Sequence, residues 1–488
     1  MRVLLASSEV HPFSKTGGLA DMSAGLAKAL GRAGHQVRVV TPLYRGILQR
    51  FPEIRREDWR FDLPLGAGRI QAGLYSIQLR DNLVVSFVEQ AFFYDRNGYY
   101  MDHNADYPDN DARFIFFSKC VAHLARYLPA APEIVHVHDW QAALVPALIS
   151  HEKRAGWGRG ERPPATCLTI HNLAYQGMFP GTSFGLTDLP REYFTPDRLE
   201  FFGLLNCLKA GIVFADAITT VSPRYAREIL TEEYGCSLDG ILRKRAARLR
   251  GILNGADDED WNPGTDAYLE RHFTASRPAG KTANKLALQR EMGLAQENGI
   301  PLFATISRLA GQKGMDIQLA ALEEMLNANM QFVLLGAGEN AFEHGYRALS
   351  ARFPGKAAIR FGYNEALAHR IEAGCDFYIM PSRFEPSGLN QMYSLRYGAI
   401  PIVRATGGLD DSVVDLTEDG RRANGIKFYD YSPRPLAKAI RKALALYECP
   451  GLLAQYRRNA MKADFSWNRT IREYLEVYET AKNAASRP

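Results

Sequence analysis

Short apolar runs alternate with longer amphipathic stretches along most of the chain. In the first half we predict buried strands at Val3 to Ala6, Val37 to Thr41, Val84 to Val88, Ile134 to Val137, Cys167 to Ile170 and Ile218 to Val221. Stretches with the length and periodicity of helices lie between several of them, for example Leu19 to Ala33 and Ala112 to Leu128. This alternation is typical of parallel βαβ units.

A second series of the same kind begins near Pro301. Its predicted strands are Leu302 to Ile306, Gln331 to Leu335, Ala358 to Phe361, Phe377 to Met380 and Ile400 to Val403. We therefore predict an α/β protein with two doubly wound domains in tandem and a polar junction from Asn254 to about Gly299. The length of 488 residues agrees with two domains, because a single core rarely serves so long a chain. Neither sheet opens with the glycine and acid pattern of a dinucleotide-binding fold.

Composition excludes several classes of protein. The 59 basic and 54 acidic residues leave a net charge of +5, too mild and too evenly spread to indicate a nucleic-acid partner. We interpret the densest basic run, Leu242 to Arg250, as a solvated helix face, with a docking patch for an anionic partner as the alternative.

Cysteine usage and hydropathy bear on the compartment. The six cysteines are far apart and form no C-x-x-C pair, which argues against a disulfide framework and a cysteine zinc site. The N-terminus lacks the pattern of a signal peptide, and no stretch approaches the roughly 20 apolar residues of a membrane span. We expect a cytoplasmic protein with reduced thiols and no membrane partner.

A glycine loop follows the first predicted strand. Its sequence from Lys15 to Asp21 is KTGGLAD, and a helix follows it. A glycine pair at the start of a helix lets an anion approach the backbone N–H groups, and Lys15 adds a positive charge. The lysine precedes the glycines, so this is not a Walker loop. The alternative is a tight turn with a surface lysine. A related loop, Thr406 to Leu409, follows a strand of the second series and suggests that both domains face one cleft.

Two loops of the second domain carry charged candidates. Arg308 and Lys313 follow a predicted strand, at the edge where ligands bind in open α/β sheets, and two cations there suit a diphosphate. Glu385 follows the strand Phe377 to Met380 and is suited to accept hydrogen bonds from sugar hydroxyls. The next residues, 387 to 389, are predicted to open a helix whose N–H groups suit phosphate oxygens. The alternatives are two exposed cations and a glutamate that caps a helix or pairs with Arg383.

Polar residues also end two strands of the first domain. His136 and His138 are two positions apart and therefore share one face of the sheet, but no further ligands present themselves, so we predict no metal site. Asp139 and His171 are placed to contact a sugar, and Asn254 lies at the junction between the domains. The alternative for each is an ordinary hydrogen-bonded residue at a strand end.

Taken together, these segments resemble the bacterial glycogen synthase and plant starch synthase family. The similar segments lie in family order from residue 1 to at least residue 415. They are Lys15 to Asp21, His136 to Trp140, Thr169 to Asn172, Ile252 to Gly255, Ser307 and Arg308 with Lys313 and Gly314, Ser382 to Pro386, and Thr406 to Leu409. The resemblance implies the GT-B type of fold, with two Rossmann-like domains that face an interdomain cleft. An acceptor and catalytic domain would span 1–252 and a nucleotide-sugar domain 253–464, with the helix from about 465 to 488 packing back on the first.

The family's activity gives a specific expectation. The resemblance implies transfer of α-D-glucose from ADP-glucose to the non-reducing end of an α-1,4-glucan such as glycogen, with retention of configuration. It implies no cofactor and no metal, because cationic side chains would stabilise the leaving phosphate. A related transferase that uses UDP-glucose or another acceptor, and a catalytically silent glucan-binding protein, are the alternatives.

The resemblance also assigns roles to residues. It implies a catalytic role for Lys15, Asp139, His171, Arg308, Lys313 and Glu385. It implies donor contacts for Lys15, Gly17, Gly18, Asp21, Tyr94, Asn254, Arg308, Lys313, Tyr363, Ser387, Gly388, Leu389 and Asn390. Tyr363 would stack on adenine, and Tyr94 would lie near the base or ribose. Family members often have Cys at position 387 and Thr at position 390, and we expect both positions to act through backbone N–H groups. The aromatic residues Phe92, Phe93, Tyr94, Tyr99 and Tyr100 leave open a glucan contact or simple packing.

Overall fold

The computed structural model describes residues 1–103, 105–157, 162–257 and 259–485. The chain divides into two compact units, Met1–Gly255 together with the chain from Trp467 onward, and Ala256–Ser466. The first division falls three residues after the predicted boundary at 252. The part of the predicted last helix that covers 486–488 lies outside the described residues.

The first unit is built on a mixed sheet flanked by helices. Its strands are β1 (Arg2–Ala6), β2 (Gln36–Pro42), β3 (Arg55–Leu65), β4 (Gly68–Arg80), β5 (Leu83–Glu89), β6 (Met101–Asp102), β7 (Ala105–Asp106), β8 (Ile134–His138), β9 (Ala165–Ile170), β10 (Met178–Pro180), β11 (Glu200–Phe201), β12 (Leu204–Asn206), β13 (Ala217–Thr220) and β14 (Leu249–Gly251). Its helices before the second unit are α1 (Gly18–Arg32), α2 (Ile47–Arg50), α3 (Ala91–Tyr94), α4 (Asn110–Tyr127), α5 (Asp139–Ala142), α6 (Val145–Gly156), α7 (Cys207–Phe214), α8 (Pro223–Glu228) and α9 (Asp239–Lys244).

The main sheet of this unit has the strand order β14-β13-β9-β8-β1-β2-β5-β4-β3. Its strands are parallel except at one edge, where β3 and β4 form an antiparallel hairpin on β5. The apolar runs predict the parallel strands except β14, because a strand covered on both faces is apolar throughout. From β1 the chain builds β2 on one side and β8 on the other, so the topological switch point lies between β1 and β8.

Two features of the first unit differ from the sequence-based expectation. The hairpin β3–β4 was not predicted, although its turn at Gly66 has a left-handed φ of 61° that suits glycine. The basic run Leu242 to Arg250 is not one solvated helix face, because α9 ends at Lys244 and β14 begins at Leu249. Arg245 is half-buried and its guanidinium donates to the carbonyl of Ala215, so that interpretation is wrong for the middle of the run.

The second unit is a six-stranded parallel sheet with helices around it, as far as the described residues show. Its strands are β15 (Leu302–Ile306), β16 (Gln331–Gly336), β17 (Ala357–Phe361), β18 (Phe377–Met380), β19 (Ile400–Arg404) and β20 (Ile426–Phe428). Its helices are α10 (Gly280–Met292), α11 (Met315–Met325), α12 (Asn340–Arg352), α13 (Glu365–Gly374), α14 (Asn390–Arg396), α15 (Gly407–Ser412), α16 (Pro433–Tyr447) and α17 (Pro450–Lys462). Shorter 3-10 turns lie at Gly181–Thr187, Arg191–Tyr193 and Ala246–Arg248 in the first unit and at Gly311–Lys313 in the second.

The strand order of the second sheet is β17-β16-β15-β18-β19-β20. The chain moves outward from β15 to β17 and then crosses to β18 on the other side of β15. The topological switch point therefore lies between β15 and β18, and ligands of open α/β sheets bind at the carboxyl ends of the strands beside such a point.

The last helix, α18 (Trp467–Ala485), belongs to the first unit. The Tyr478 hydroxyl lies 2.8 Å from Nδ1 of His136, and Thr470 donates to the carbonyl of Leu253 over 3.1 Å. The Trp467 indole packs so closely on Gly25 and Gly255 that a Cβ at either glycine would overlap it. Among the described residues, no helix combines the length and the apolar character that crossing a membrane would need.

Candidate active site

A buried ion pair lies at the switch point of the second unit. Lys313 Nζ is 2.6 Å from Oε2 of Glu385, and the Ser382 hydroxyl donates to the same oxygen over 3.0 Å. Glu385 is buried and Lys313 is half-buried. The alternative that Glu385 pairs with Arg383 is therefore wrong; Arg383 lies over the ring of Tyr431 instead. The two loops that follow β15 and β18 meet in this pair.

Backbone contacts fix these two loops against each other. Arg383 N–H donates to the carbonyl of Gln312 over 2.8 Å. Gly314 has a φ of 73°, and a Cβ there would lie 2.1 Å from the carbonyl oxygen of Pro381. Arg308, at the start of the first loop, is exposed, and its guanidinium has no hydrogen bond or ion pair to the described part of the chain. The site thus combines one restrained cation with one that is open to solvent.

The second glycine loop supports the loop of Glu385. Gly408 N–H donates to the carbonyl oxygens of Glu385 and Pro386, over 3.0 and 3.1 Å. A Cβ at Gly407 or Gly408 would lie 2.0 Å from the carbonyl of Glu385 or Ser387, respectively. Glycine is needed here because two backbones touch. The similarity to the first glycine loop therefore does not extend to the same structural role.

Residues 387–390 lead into α14 after the glutamate. Gly388 has a left-handed φ of 68°, and Leu389 precedes the first helical residue, Asn390. The Ser387 hydroxyl donates to the carbonyl of Gly388 over 3.3 Å. The side chain of Asn390 donates to the carbonyl of Ile306 and to the hydroxyl of Tyr378, a residue that sequence reasoning missed. Asn390 therefore does more than present a backbone N–H group.

The two tyrosines expected near the nucleotide have opposite environments. Tyr363 follows β17 and is 81% exposed, in agreement with a stacking surface. Tyr94 is fully buried, and its hydroxyl donates to the carbonyl of Arg113 over 2.9 Å. The prediction that Tyr94 contacts the base or ribose is wrong, because the residue lies in the core and offers a ligand no surface.

The aromatic residues around Tyr94 are mainly packing residues. Phe93 is buried, Tyr99 and Tyr100 are half-buried, and Tyr99 stacks on Tyr44 at a ring distance of 4.4 Å. Phe92 is 73% exposed. This favours the packing interpretation for the cluster, apart from Phe92.

In the first unit, the glycine loop lies at the switch point between β1 and β8. Lys15 Nζ is 2.7 Å from Oδ1 of Asp21, so an ion pair joins the two ends of the glycine loop. Gly17 precedes α1, and no atom of the described residues lies within 4 Å of the position that a Cβ would occupy there. The helix begins at Gly18. The backbone beside Gly17 is therefore open to a small group.

A buried carboxylate holds this loop in place. Glu9 follows β1 and accepts hydrogen bonds from the hydroxyls of Thr16 and Tyr100, over 2.7 and 2.8 Å, and from the backbone N–H of Thr16. Sequence reasoning assigned no role to Glu9. The available signal was an acidic residue directly after a buried strand, in the same loop as the glycine pair.

Three neutral histidines form a cluster beside the loop, of which His136 and His138 are buried and His171 is half-buried. The rings of His136 and His138 are 4.3 Å apart, and His138 Nδ1 is 3.0 Å from Nε2 of His171. Burial lowers the pKa of His136 and of His171 to about 3. The described residues contain no group of three or more His, Cys, Asp or Glu arranged to hold a metal.

Asp139 lies at the end of β8, next to this cluster. It has a left-handed φ of 53°, and its Oδ1 accepts a hydrogen bond of 2.7 Å from the backbone of His171. Burial raises the pKa of Asp139 to about 7, and the charge of Glu9 adds to the increase. Asn254 is buried, and its Oδ1 has no hydrogen-bond partner among the described residues. The structure thus brings Asp139 and His171 together on the first unit.

Comparisons with known proteins cover both units. The family described as "Starch synthase catalytic domain" matches residues 2–244, and "Glycosyl transferases group 1" matches residues 293–463. The glycogen synthase of Myxococcus xanthus (strain DK1622) is 46% identical over 98% of this chain and 99% of its own. The glycogen synthase of Anaeromyxobacter sp. (strain Fw109-5) is 45% identical over 98% of this chain and 99% of its own.

Solved structures agree with the predicted fold. The catalytic domain of starch synthase IV from Arabidopsis thaliana, bound to ADP and acarbose, has a TM-score of 0.89 and 32% identity, covering 100% of this chain and 99% of its own. Sucrose-phosphate synthase from Thermosynechococcus elongatus has a TM-score of 0.60 and 17% identity over 99% of both chains, which shows a shared fold alone. The predicted α/β architecture of the GT-B type is confirmed. This chain belongs to the glycogen synthase and starch synthase family of glycosyltransferases.

Proposed function

We propose that the protein transfers α-D-glucose from ADP-glucose to the non-reducing end of an α-1,4-glucan, such as glycogen, with retention of configuration. The observation that carries the proposal is the pair of Lys313 and Glu385, with the exposed Arg308 on the adjoining loop. This arrangement offers two cations to a diphosphate and one carboxylate to a sugar. Family membership supports the same reaction, since the curated relatives are glycogen synthases.

In this proposal the second unit binds the donor. Arg308 and Lys313 bind the diphosphate, and Glu385 binds a glucose hydroxyl through Oε1, because Oε2 already accepts from Lys313 and Ser382. The backbone N–H groups of residues 387–390 add hydrogen bonds to phosphate or glucose. Tyr363, exposed after β17, stacks on the adenine. The Arabidopsis relative has ADP bound, which supports ADP-glucose over UDP-glucose.

The first unit is assigned to the transferred glucose. Asp139 and His171 contact the sugar, and Asn254 supplies a further polar atom that its own fold leaves unpaired within the described residues. Lys15, held by Asp21, the open backbone at Gly17 and the adjoining Gly18 contact the donor phosphates and sugar. Glucan is the acceptor in this assignment.

The chemical step is assigned to electrostatic stabilisation. The bond between C1 of glucose and the phosphate oxygen breaks through an oxocarbenium-like state, and the acceptor oxygen bonds to C1 on the face from which ADP leaves. The proton of the acceptor hydroxyl passes to the departing phosphate oxygen, and configuration is retained. Arg308, Lys313 and Lys15 stabilise the charge that develops on the leaving phosphate. One such group contributes about 3 kcal/mol, or roughly 100-fold in rate. We assign the reaction no metal and no cofactor, because these side chains provide the positive charge.

The six unpaired cysteines agree with a cytoplasmic enzyme.

The test is glucose incorporation into glycogen from ADP-glucose and from UDP-glucose, each with EDTA present. We expect efficient transfer from ADP-glucose and little from UDP-glucose. Transfer from UDP-glucose alone would contradict the assignment of ADP-glucose as the donor. Loss of activity with EDTA that Mg²⁺ restores would contradict a reaction without metal. No transfer from either donor would refute the proposed function.

A further inference from the structure

The ladder between β15 and β18 ends before the strands do. The two strands pair at Phe303 with Phe377 and at Ala304 with Tyr378, whereas β15 continues to Ile306. On its other side, β15 pairs with β16 along its full length. The strands therefore part at the switch point, and the backbone groups of Ile306 that face β18 need partners of another kind.

Two side chains supply these partners. The Tyr378 hydroxyl accepts a hydrogen bond from Ile306 N–H over 2.9 Å and donates to the Ile306 carbonyl over 2.8 Å. The Asn390 amide donates to the same carbonyl over 2.8 Å and to the Tyr378 hydroxyl over 2.9 Å. Tyr378 is fully buried, and burial holds its pKa well above the ordinary value, so the hydroxyl keeps its proton.

These bonds connect the two loops to which donor binding is assigned. Ile306 is two residues before Arg308, and Asn390 is five residues after Glu385. We propose that Tyr378 is a positioning residue for the donor diphosphate, which fixes, together with Asn390, the distance between the Arg308 loop and the loop of residues 385–390. This inference rests on the proposed function, because it assumes that both loops bind one diphosphate.

Asparagine suits this role better than the threonine that family members often have at position 390. An amide group carries two N–H donors, whereas a threonine hydroxyl carries one. Both contacts of the Asn390 amide are made here, one to a carbonyl and one to the Tyr378 hydroxyl. Tyr378 and Asn390 therefore act as a pair, and a change of either breaks the same connection.

The first experiment measures the Kd for ADP by calorimetry and the KM for ADP-glucose in Tyr378→Phe and Asn390→Ala. Each change should raise both quantities about tenfold, the effect of losing one or two buried hydrogen bonds. The double variant should be no worse than the more affected single one, because the two residues share one connection.

The matched control is Tyr447→Phe. Its hydroxyl donates to the carbonyl of Asn298 over 2.6 Å and accepts from Lys285 over 2.9 Å, at the amino-terminal edge of the same sheet. This variant should lose stability without a change in ADP affinity. If Tyr378→Phe proves much less stable than the control, Asn390→Ala, at a half-buried position, provides the measurement.

A double-mutant cycle with Arg308→Ala separates positioning from general stability. If Tyr378 acts by placing the Arg308 loop, the tenfold loss of ADP affinity should shrink to about twofold in the Arg308→Ala background. An undiminished loss, or an ADP affinity of Tyr378→Phe equal to that of the control, would overturn the inference. Failure of the unmodified protein to bind ADP or transfer glucose would refute the proposed function instead.

Discussion

The switch points of the two sheets have similar topology and different electrostatics. In the first unit, the loops after β1 and β8 carry a buried carboxylate, Glu9, and an aspartate whose pKa is raised to about 7, beside neutral histidines. In the second unit, the loops after β15 and β18 carry a lysine paired with a glutamate and an exposed arginine. The topology decides where a ligand binds, and the loop residues decide which part of the ligand is bound. The first site, with its neutral histidines, is the one proposed for glucose, and the second, where Arg308 adds a positive charge, is the one proposed for the diphosphate.

The largest expected effect is at the half-buried cation, Lys313. Lys313→Ala should lower turnover by at least about 100-fold, because it removes a charge that stabilises the leaving phosphate. It should also lower the melting temperature, since Glu385 then remains buried without its cation. Steady-state kinetics and calorimetry measure the two effects. The double variant Lys313→Met with Glu385→Gln should recover stability and stay inactive; recovery of activity would contradict the assignment.

The exposed cation should separate activity from stability. Arg308→Ala should reduce turnover by roughly 100-fold and leave the melting temperature unchanged, because its guanidinium makes no ion pair or hydrogen bond within the described residues. Arg360→Ala removes another exposed arginine of the same unit, on β17, and serves as the control. Turnover of Arg308→Ala similar to that of Arg360→Ala would show that the exposed cation does not act on the donor.

The smallest effect concerns Asp139 and appears as a pH dependence of turnover. Asp139 has a pKa of about 7 in the folded protein because of burial. If its carboxylate contacts the glucose, turnover should fall about tenfold per unit as the pH drops below 7. Asp139→Asn should be less active and should lose this acidic limb of the profile. An unchanged acidic limb in the variant would assign it to another group.

Stability provides an independent check on the same residue. The folded protein keeps the Asp139 proton up to about pH 7, whereas the unfolded chain releases it near pH 4. The folded state therefore loses stability as the pH rises from 4 to 7. Asp139→Asn should melt at a higher temperature than the unmodified protein above pH 7, with a difference that vanishes near pH 4.

Much of this fold could be predicted from sequence because its strands are covered on both faces. The apolar runs of β1, β8 and β15 identify parallel strands without knowledge of their neighbours. The hairpin β3–β4 was missed, since its half-exposed strands alternate in polarity and contain charged residues. The basic run Leu242 to Arg250 was misinterpreted because a helix period does not show where the helix ends.

The sequence predicts those site residues that lie in loops after recognisable strands. Lys313 and Glu385 each lie in the loop that follows a strand, and β15 and β18 are adjacent, so their meeting follows from topology. The prediction for Tyr94 is wrong because a resemblance in sequence does not show the direction of a side chain. Tyr378 was missed because its partners lie in other segments, and Glu9 because its partner Tyr100 does.

The return of α18 to the first unit has a consequence for synthesis. Residues 256–466 are inserted between two parts of one unit, so the ribosome produces the second unit in full before it produces α18. His136 can contact Tyr478, and Gly25 the Trp467 indole, only after the ribosome has released α18. The second unit should therefore fold first during translation. The first unit, although most of it is made earlier, should be the last to become protected from proteases.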